Sequence, residues 1–166
     1  SNEIFDQMLM YDPGVYALEI ITNDLININK SYAILNDFPT DTDNIQIPLG
    51  IFFQLKLNLS HSDFKYKLIK PYKGTKVKFR CLINPENYFM DVKKQLTLEL
   101  TKHKILSINQ IICIECDTNH QIIPFEVCEL FPFNVIDITD IDLEIDFDEC
   151  LNYDNPFEAL LIKFNN

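Results

Sequence analysis

The prediction of the fold rests on the stretch from Pro132 to Tyr153, whose sequence is PFNVIDITDIDLEIDFDECLNY. Apolar and polar residues alternate along it, first around Ile136 and Ile138 and then from Ile141 to Phe147. A period of two over this length is typical of a β-strand with one buried face. The pattern predicts one continuous strand from Val135 to Phe147. Its exposed face would carry five carboxylates: Asp140, Asp142, Glu144, Asp146 and Asp148.

The segments before this stretch predict further strands and one helix. Apolar residues recur at helical spacing between Val92 and His103, which predicts a helix with one buried face. His103 is then expected at the edge of the core rather than as a catalytic base. Strands are predicted from Leu106 to Ile114 and from Ile122 to Leu130, joined by a hairpin turn at residues 117–120. With the acidic strand, these elements predict a small four-stranded barrel or sheet packed by one helix.

The N-terminal part of the chain predicts a second set of short elements. Strands are predicted at Val15–Ile21, Leu25–Ile28 and Tyr32–Leu35, because apolar runs there are separated by Asn and Asp turns. Pro48 suits the first turn of a helix, and the apolar residues from Ile51 to Leu59 follow at helical spacing.

The composition of the 166 residues is typical of a folded, soluble protein, with 47% hydrophobic residues and a formal net charge of −11. This charge argues against nucleic acid as a partner, because phosphate contacts need clustered Lys and Arg. The basic residues between Lys65 and Arg80 are interpreted as a solvated strand and loop. No apolar run reaches the roughly 20 residues of a membrane-spanning helix, so we expect no membrane insertion. A protein partner with a basic surface fits this composition best.

Catalytic and metal-binding motifs are weak in this sequence. Its three glycines are isolated, which leaves no phosphate-binding loop and no nucleophile elbow, so we expect neither catalysis nor a cofactor. A calcium loop in the acidic stretch would lack the Gly that such a loop needs. The five cysteines are expected to be mainly buried thiols in a reducing compartment. The alternative is a zinc site formed by Cys113, Cys116, His120 and Cys128.

Two interpretations of the acidic strand face are open. Five like charges on one face repel one another unless water or basic side chains compensate them. The first interpretation is an exposed sheet edge whose charge discourages pairing with other chains. The second is a docking surface for a basic partner.

The same stretch resembles the end of the N-terminal domain of the ubiquitin-fusion-degradation protein 1 family. The matching positions are Glu129, Pro132, Ile136, Ile138, Asp140, Asp142, Ile145, Asp146, Phe147, Leu151 and Tyr153. Cys150 and Asn152 stand where the family has Pro and Gly. Further matches are Ile45, Pro48, Gln54, Leu55, Tyr66, Lys67 and Leu68, and then Gly74, Val77, Lys78 and Phe79. The resemblance covers residues 45–68 and 74–153.

The fold that this resemblance implies is β-rich α+β with two subdomains. Residues 1–72 would form a shortened, double-psi-barrel-like part, because the family has a further strand-helix-strand unit between the positions of Leu68 and Gly74. Residues 73–153 would form the small four-stranded barrel or sheet with one helix. Residues 154–166 would be a C-terminal extension.

The function that the resemblance implies is binding of ubiquitin and polyubiquitin, with Asp140, Asp142 and Asp146 as candidate contacts. In the family, this domain belongs to a cofactor that acts with nuclear protein localisation protein 4 and the valosin-containing AAA ATPase. The cofactor delivers ubiquitylated proteins for degradation in the cytoplasm at the cytosolic face of the ER, and possible nuclear action is implied as well. The alternative is a divergent copy that serves as an assembly or translocation module of plastid-type protein import, in a plastid-associated compartment.

Overall fold

The computed structural model describes residues 14–23, 28–34, 64–84, 91–115 and 122–165. Its strands are β1 (Ala17–Asn23), β2 (Ile28–Ile34), β3 (Phe64–Ile69), β4 (Tyr72–Lys73), β5 (Lys76–Cys81), β6 (Ile105–Ser107), β7 (Ile111–Glu115), β8 (Ile122–Phe131), β9 (Val135–Asp137) and β10 (Glu144–Asp148). Its helices are α1 (Val92–Leu100) and α2 (Pro156–Asn165). The described chain is therefore β-rich α+β, as predicted.

A four-stranded sheet in the order β10-β5-β8-β7 carries most of the core. Its strands β5 and β8 are antiparallel, as are β7 and β8, whereas β10 lies parallel to β5 at one edge. Alternate residues of β5 are buried, namely Val77, Phe79 and Cys81, and they belong to one cluster with Phe125 and Val127 of β8. Because side chains alternate between the faces of a strand, the basic residues of β5 lie on the opposite face.

The predicted helix is confirmed as α1. The side chain of Asp91 caps it by accepting a hydrogen bond from the amide of Lys94 at 3.1 Å. Leu96 and Leu100 are buried in the core. His103 lies beyond the end of the helix and is half-buried, with Nε2 3.7 Å from a carboxylate oxygen of Glu99.

A small sheet in the order β4-β9-β6 adjoins the larger one through Gly74 and Thr75, which link β4 to β5. Gly74 donates its amide hydrogen to the carbonyl of Asp137 at 2.9 Å. A Cβ atom at this position would lie 3.1 Å from Cγ1 and 3.2 Å from Cβ of Ile136, which is fully buried. Glycine is therefore needed because the side chain of Ile136 packs directly against this position, rather than for an unusual backbone angle.

The predicted continuous strand from Val135 to Phe147 is wrong. The stretch forms two strands that belong to different sheets, β9 and β10, with residues 138–143 between them. The buried carboxylate of Asp137 ends β9 by accepting hydrogen bonds from the amide of Thr139 at 2.8 Å and from its hydroxyl at 2.6 Å. Asp140 then takes a left-handed conformation with φ of 51°. Short local bonds from Asp and Thr compete with strand pairing in this way.

The predicted strand from Leu106 to Ile114 is also divided in two. Its first residues belong to β6 in the small sheet and its last residues to β7 in the four-stranded sheet. The side chain of Gln110 accepts a hydrogen bond from the amide of Ser107 at 2.9 Å, and Asn109 has a φ of 63°. Because of this turn, β6 pairs in the small sheet and β7, which follows it closely in sequence, pairs in the four-stranded sheet. The predicted hairpin turn at 117–120 lies outside the described residues, although β7 and β8 pair antiparallel.

The N-terminal strands form an antiparallel sheet in the order β2-β1-β3. The predicted break between the strands Leu25–Ile28 and Tyr32–Leu35 is wrong, because β2 runs without interruption from Ile28 to Ile34 opposite β1. Residues 25–27 and Leu35 lie outside the described residues. The predicted helix after Pro48 lies outside the described residues. Residues 72 and 73, on either side of the predicted subdomain boundary, both belong to β4, which pairs with β9.

Candidate functional site

Three rows of side chains cross the outer face of β8, β5 and β10. The strand register places Lys76 between Phe131 and Glu144, Lys78 between Glu129 and Asp146, and Arg80 between Glu126 and Asp148. The central strand is thus basic and both neighbours are mainly acidic. This arrangement arises because β5 has a basic residue at every second position and β10 has a carboxylate at every second position.

Ion pairs connect these rows across the strands. The ammonium nitrogen of Lys76 lies 3.0 Å from Glu144 and 3.7 Å from Asp146, and that of Lys78 lies 2.9 Å from Glu129. The basic residues that were interpreted as solvated thus include Lys76, which compensates carboxylates of β10, and Lys78, which compensates Glu129 of β8. Since these pairs are solvent-exposed, each contributes little to stability.

Arg80 and Asp148 form the strongest pair on this face. Arg80 donates from Nε to Asp148 at 3.1 Å and also from Nη2 to the same carboxylate oxygen. These hydrogen bonds raise the pKa of Arg80 above its ordinary value and hold the pKa of Asp148 below its ordinary value. Both groups therefore stay charged over the physiological range of pH, and β10 is fixed to β5 by charge as well as by its backbone.

The three predicted contact residues do not share one strand face. Asp140 and Asp142 lie in the segment between β9 and β10, whereas Asp146 lies within β10 beside Lys76. Asp140 and Asp142 are exposed, and neither forms an ion pair with another residue in the described ranges. The free negative charge of this region is therefore concentrated in the acidic turn, the segment of residues 138–143, and not along β10. As the first interpretation predicted, β10 is an edge strand of its sheet.

The acidic turn is held in place from a distant part of the chain. The ammonium group of Lys73 donates to the carbonyl of Thr139 at 2.6 Å and to its hydroxyl at 2.8 Å. It also lies 2.9 Å from a carboxylate oxygen of Asp137. Burial by itself would raise the pKa of Asp137, but the hydrogen bonds from Thr139 and the charge of Lys73 outweigh it and lower that pKa. The turn is thus built around an ionised aspartate.

Three exposed aromatic side chains occur on neighbouring segments, and we call Tyr72, Phe131 and Phe133 the aromatic patch. Their exposed fractions are 70%, 63% and 51%, respectively. Tyr72 precedes Lys73 in β4, and Phe131 pairs with Lys76 across the strands. The rings of Tyr72 and Phe133 contact each other, with centroids 5.0 Å apart and an angle of 39° between their planes. The Phe131–Pro132 peptide bond between the two phenylalanines is cis. Clustered exposed aromatics of this kind are typical of protein-binding surfaces.

Backbone hydrogen bonds of Thr75 connect the aromatic patch to the acidic strand. The amide of Thr75 donates to the carbonyl of Phe131 at 3.0 Å, and its carbonyl accepts from the amide of Glu144 at 3.0 Å. Glu144 follows the acidic turn directly. The end of β8 and the start of β10 are therefore both hydrogen-bonded to the backbone of Thr75. These two bonds fix the positions of Phe131 and Glu144 relative to each other.

The aromatic patch was not among the residues predicted from the sequence. One signal was present, because Leu130 is buried and the alternation of β8 places Phe131 on the polar face with Glu129. A large aromatic residue at a polar-face position indicates an exposed apolar surface. Tyr72 carried no such signal, since its contact with Phe133 depends on the pairing of β4 with β9.

The structure does not bring together a metal site in the part of the chain that it describes. No group of three or more His, Cys, Asp or Glu side chains there has an arrangement that could hold a metal ion. Of the residues in the zinc alternative, Cys113 is exposed on β7 and Cys128 is half-buried on β8, while Cys116 and His120 lie outside the described ranges.

The comparisons with models of protein families and with curated proteins find no match to this chain. Neither of the helices in the described ranges is long and apolar enough to cross a membrane.

Proposed function

We propose that this chain is a non-enzymatic ubiquitin-binding domain that uses the aromatic patch and the acidic turn as its contact surface. In this proposal the chain is a divergent member of the ubiquitin-fusion-degradation protein 1 family, with a shortened double-psi-barrel-like N-terminal part. It would act in a cofactor that delivers ubiquitylated proteins to the valosin-containing AAA ATPase at the cytosolic face of the ER. The proposal rests on the resemblance of the sequence and on the chemistry of this surface.

The observation that carries the proposal is the presence of exposed aromatic rings and exposed carboxylates on segments that the bonds of Lys73 and Thr75 join. The recognised face of ubiquitin is apolar and ringed by Lys and Arg. Tyr72, Phe131 and Phe133 offer the apolar contact area, and Asp140 and Asp142 offer the negative charge for a basic rim. Asp146 is less suited to direct contact, because Lys76 already lies 3.7 Å from its carboxylate.

Binding is the whole mechanism in this proposal, and no bond of the client is made or broken. Burying the three rings supplies most of the affinity, since aromatic anchors dominate protein interfaces. The carboxylates of the acidic turn increase the rate of association with a basic surface. The hydrogen-bonded scaffold around Thr75 reduces the entropy lost on binding, because the surface is formed before the partner arrives.

The experiment is a titration of isotopically labelled monoubiquitin, and then of polyubiquitin chains of defined linkage, with the wild-type chain and surface variants. The double substitution Tyr72→Ser and Phe131→Ser is expected to weaken binding about 30-fold or more, because each removes a large apolar contact. Asp142→Lys is expected to weaken binding about 3- to 10-fold at low salt and less at high salt.

The matched control is Phe157→Ser, because Phe157 of α2 has the same exposed fraction as Tyr72, 70%, but lies outside the proposed surface. This variant should bind ubiquitin like the wild type. Equal affinities of the wild type and the folded Tyr72→Ser, Phe131→Ser variant would refute the surface. Absence of binding by the wild type to monoubiquitin and to every chain linkage would refute the proposed function.

A further inference from the structure

Two of the cysteines approach each other closely at the end of β5. The thiols of Cys81 and Cys150 each donate a hydrogen bond to the same acceptor, the carbonyl oxygen of Ile83, at 2.8 Å. Their sulfur atoms are therefore no more than twice that distance apart. None of the binding chemistry described above uses either thiol.

The backbone joins the two segments that carry these cysteines. The amide of Leu151, which follows Cys150, donates to the carbonyl of Cys81 at 3.0 Å. The regular pairing of β10 with β5 ends just before this point, at Asp148 and Arg80. This bond and the shared acceptor keep the two thiols within reach of each other.

We propose that Cys81 and Cys150 form an intramolecular disulfide when the protein meets a low-molecular-weight disulfide such as oxidised glutathione. The bond would join the end of β5 to the segment that follows β10. It would therefore fix the edge strand that carries Glu144, Asp146 and Asp148 to the centre of its sheet. This inference does not depend on the proposed ubiquitin binding.

Cys150 is the thiol that reacts first. It is half-buried, and the amide of Asn152 donates to its sulfur at 3.4 Å. Its thiolate attacks one sulfur of oxidised glutathione, the reagent's S–S bond breaks, and one glutathione leaves as a thiolate that takes a proton from water. The product is a mixed disulfide between Cys150 and the second glutathione.

Cys81 completes the reaction from inside the protein. Its sulfur loses a proton and attacks the sulfur of Cys150, and the second glutathione leaves and takes up a proton. Overall, two protein thiols are oxidised to one disulfide, and one molecule of oxidised glutathione is reduced to two thiols. Burial raises the pKa of Cys81 to about 12, so this second step is expected to be the slow one.

The test uses a variant of the full chain in which Cys113, Cys116 and Cys128 are replaced by Ser, so that only the proposed pair can react. After incubation with oxidised glutathione, intact-mass spectrometry should show the loss of two hydrogen atoms. In the wild type, digestion after alkylation should yield a disulfide-linked pair of peptides that contain positions 81 and 150. Adding Cys150→Ser to the variant should abolish the mass loss.

The effect on the sheet is measured by hydrogen exchange. The amides of Leu151 and Tyr153 donate to the carbonyls of Cys81 and Leu82, so the disulfide should slow their exchange about 10-fold or more. Accumulation of the mixed disulfide at Cys150 without loss of two hydrogen atoms would overturn the proposal. A linked peptide pair other than 81 and 150 in the wild type would overturn it as well, as would unchanged exchange in the oxidised variant.

Discussion

Gly74→Ala is the substitution that tests the contact between the two C-terminal sheets. The added methyl group would meet the side chain of Ile136, with Cγ1 at 3.1 Å, Cβ at 3.2 Å and Cδ1 nearer than non-bonded carbons approach. Ile136 is fully buried, so it has little space to move. Overpacking of this kind costs about 1–3 kcal/mol, and the stiffer unfolded chain offsets about 0.4–1 kcal/mol. We expect a net loss of about 2 kcal/mol in the free energy of unfolding.

A second substitution makes the prediction specific to this contact. Ile136→Val removes the Cδ1 atom that the new methyl group would strike, and by itself it should cost about 1 kcal/mol. Combined with Gly74→Ala, it should relieve the worst contact, so that the double variant loses about 1.5 kcal/mol rather than the sum of about 3 kcal/mol. The coupling between the two positions is therefore expected to be about 1.5 kcal/mol.

The assay is urea unfolding followed by circular dichroism, because the chain contains no Trp for fluorescence. Gly14→Ala is the control, since among the described residues its methyl group would meet the end of the flexible Lys70 side chain, with Cε at 3.1 Å. It should change stability by less than about 0.5 kcal/mol. Strict additivity of Gly74→Ala and Ile136→Val would refute the argument, because it would mean that the two side chains do not compete for the same space.

Two further predictions concern buried carboxylates. Asp137→Asn should cost about 2 kcal/mol at pH 7, because it weakens the charge-assisted bonds to Thr139 and Lys73. Since the pKa of Asp137 is lowered in the fold, its contribution is present above about pH 4 and is lost as the pH falls through the lowered pKa. The urea midpoints of the wild type and this variant should therefore converge as the pH is lowered below about 4, and a constant difference would contradict this. Lys163→Met should cost about 2 kcal/mol, because it removes the ammonium group 2.6 Å from the buried Glu126, whose other carboxylate oxygen has no hydrogen-bond partner among the described residues. Adding Glu126→Gln should recover part of that loss in the same assay, and a further loss would argue against the ion pair.

The alternation of charged residues along β5 and β10 is visible in the sequence, but the ion pairs that these residues form across the strands could not be predicted from it. A period of two places Lys76, Lys78 and Arg80 on one face wherever the strand lies. Their effect depends on which strands flank β5. Strand β10 enters the sheet from 68 residues further along the chain, as the pair Arg80 and Asp148 illustrates. The acidic face that looked uncompensated along the sequence is therefore largely paired in the fold.

The candidate surface likewise combines residues that were predicted from the sequence with residues that were not. Asp140 and Asp142 were identified from their position in the acidic pattern, and they are exposed in the structure. The contact within the aromatic patch could not be predicted, because Tyr72 meets Phe133 through the pairing of β4 with β9, two short strands that are far apart in sequence. Local patterns report which face of a strand a residue occupies, but not which residues meet across strands.

By itself, the sequence determined that this chain is β-rich, that a helix with one buried face lies between Val92 and His103, and that apolar residues alternate up to Phe147, where β10 lies. Those features follow from the geometry of a few consecutive residues. Only the tertiary structure decided that the stretch after Val135 divides between two sheets, because the turn that divides it is held by Lys73, whose partner Thr139 lies 66 residues away. Contacts between residues so far apart in sequence form only in the folded chain. The period of apolar residues in one segment describes that segment alone and does not show which distant residue it will contact.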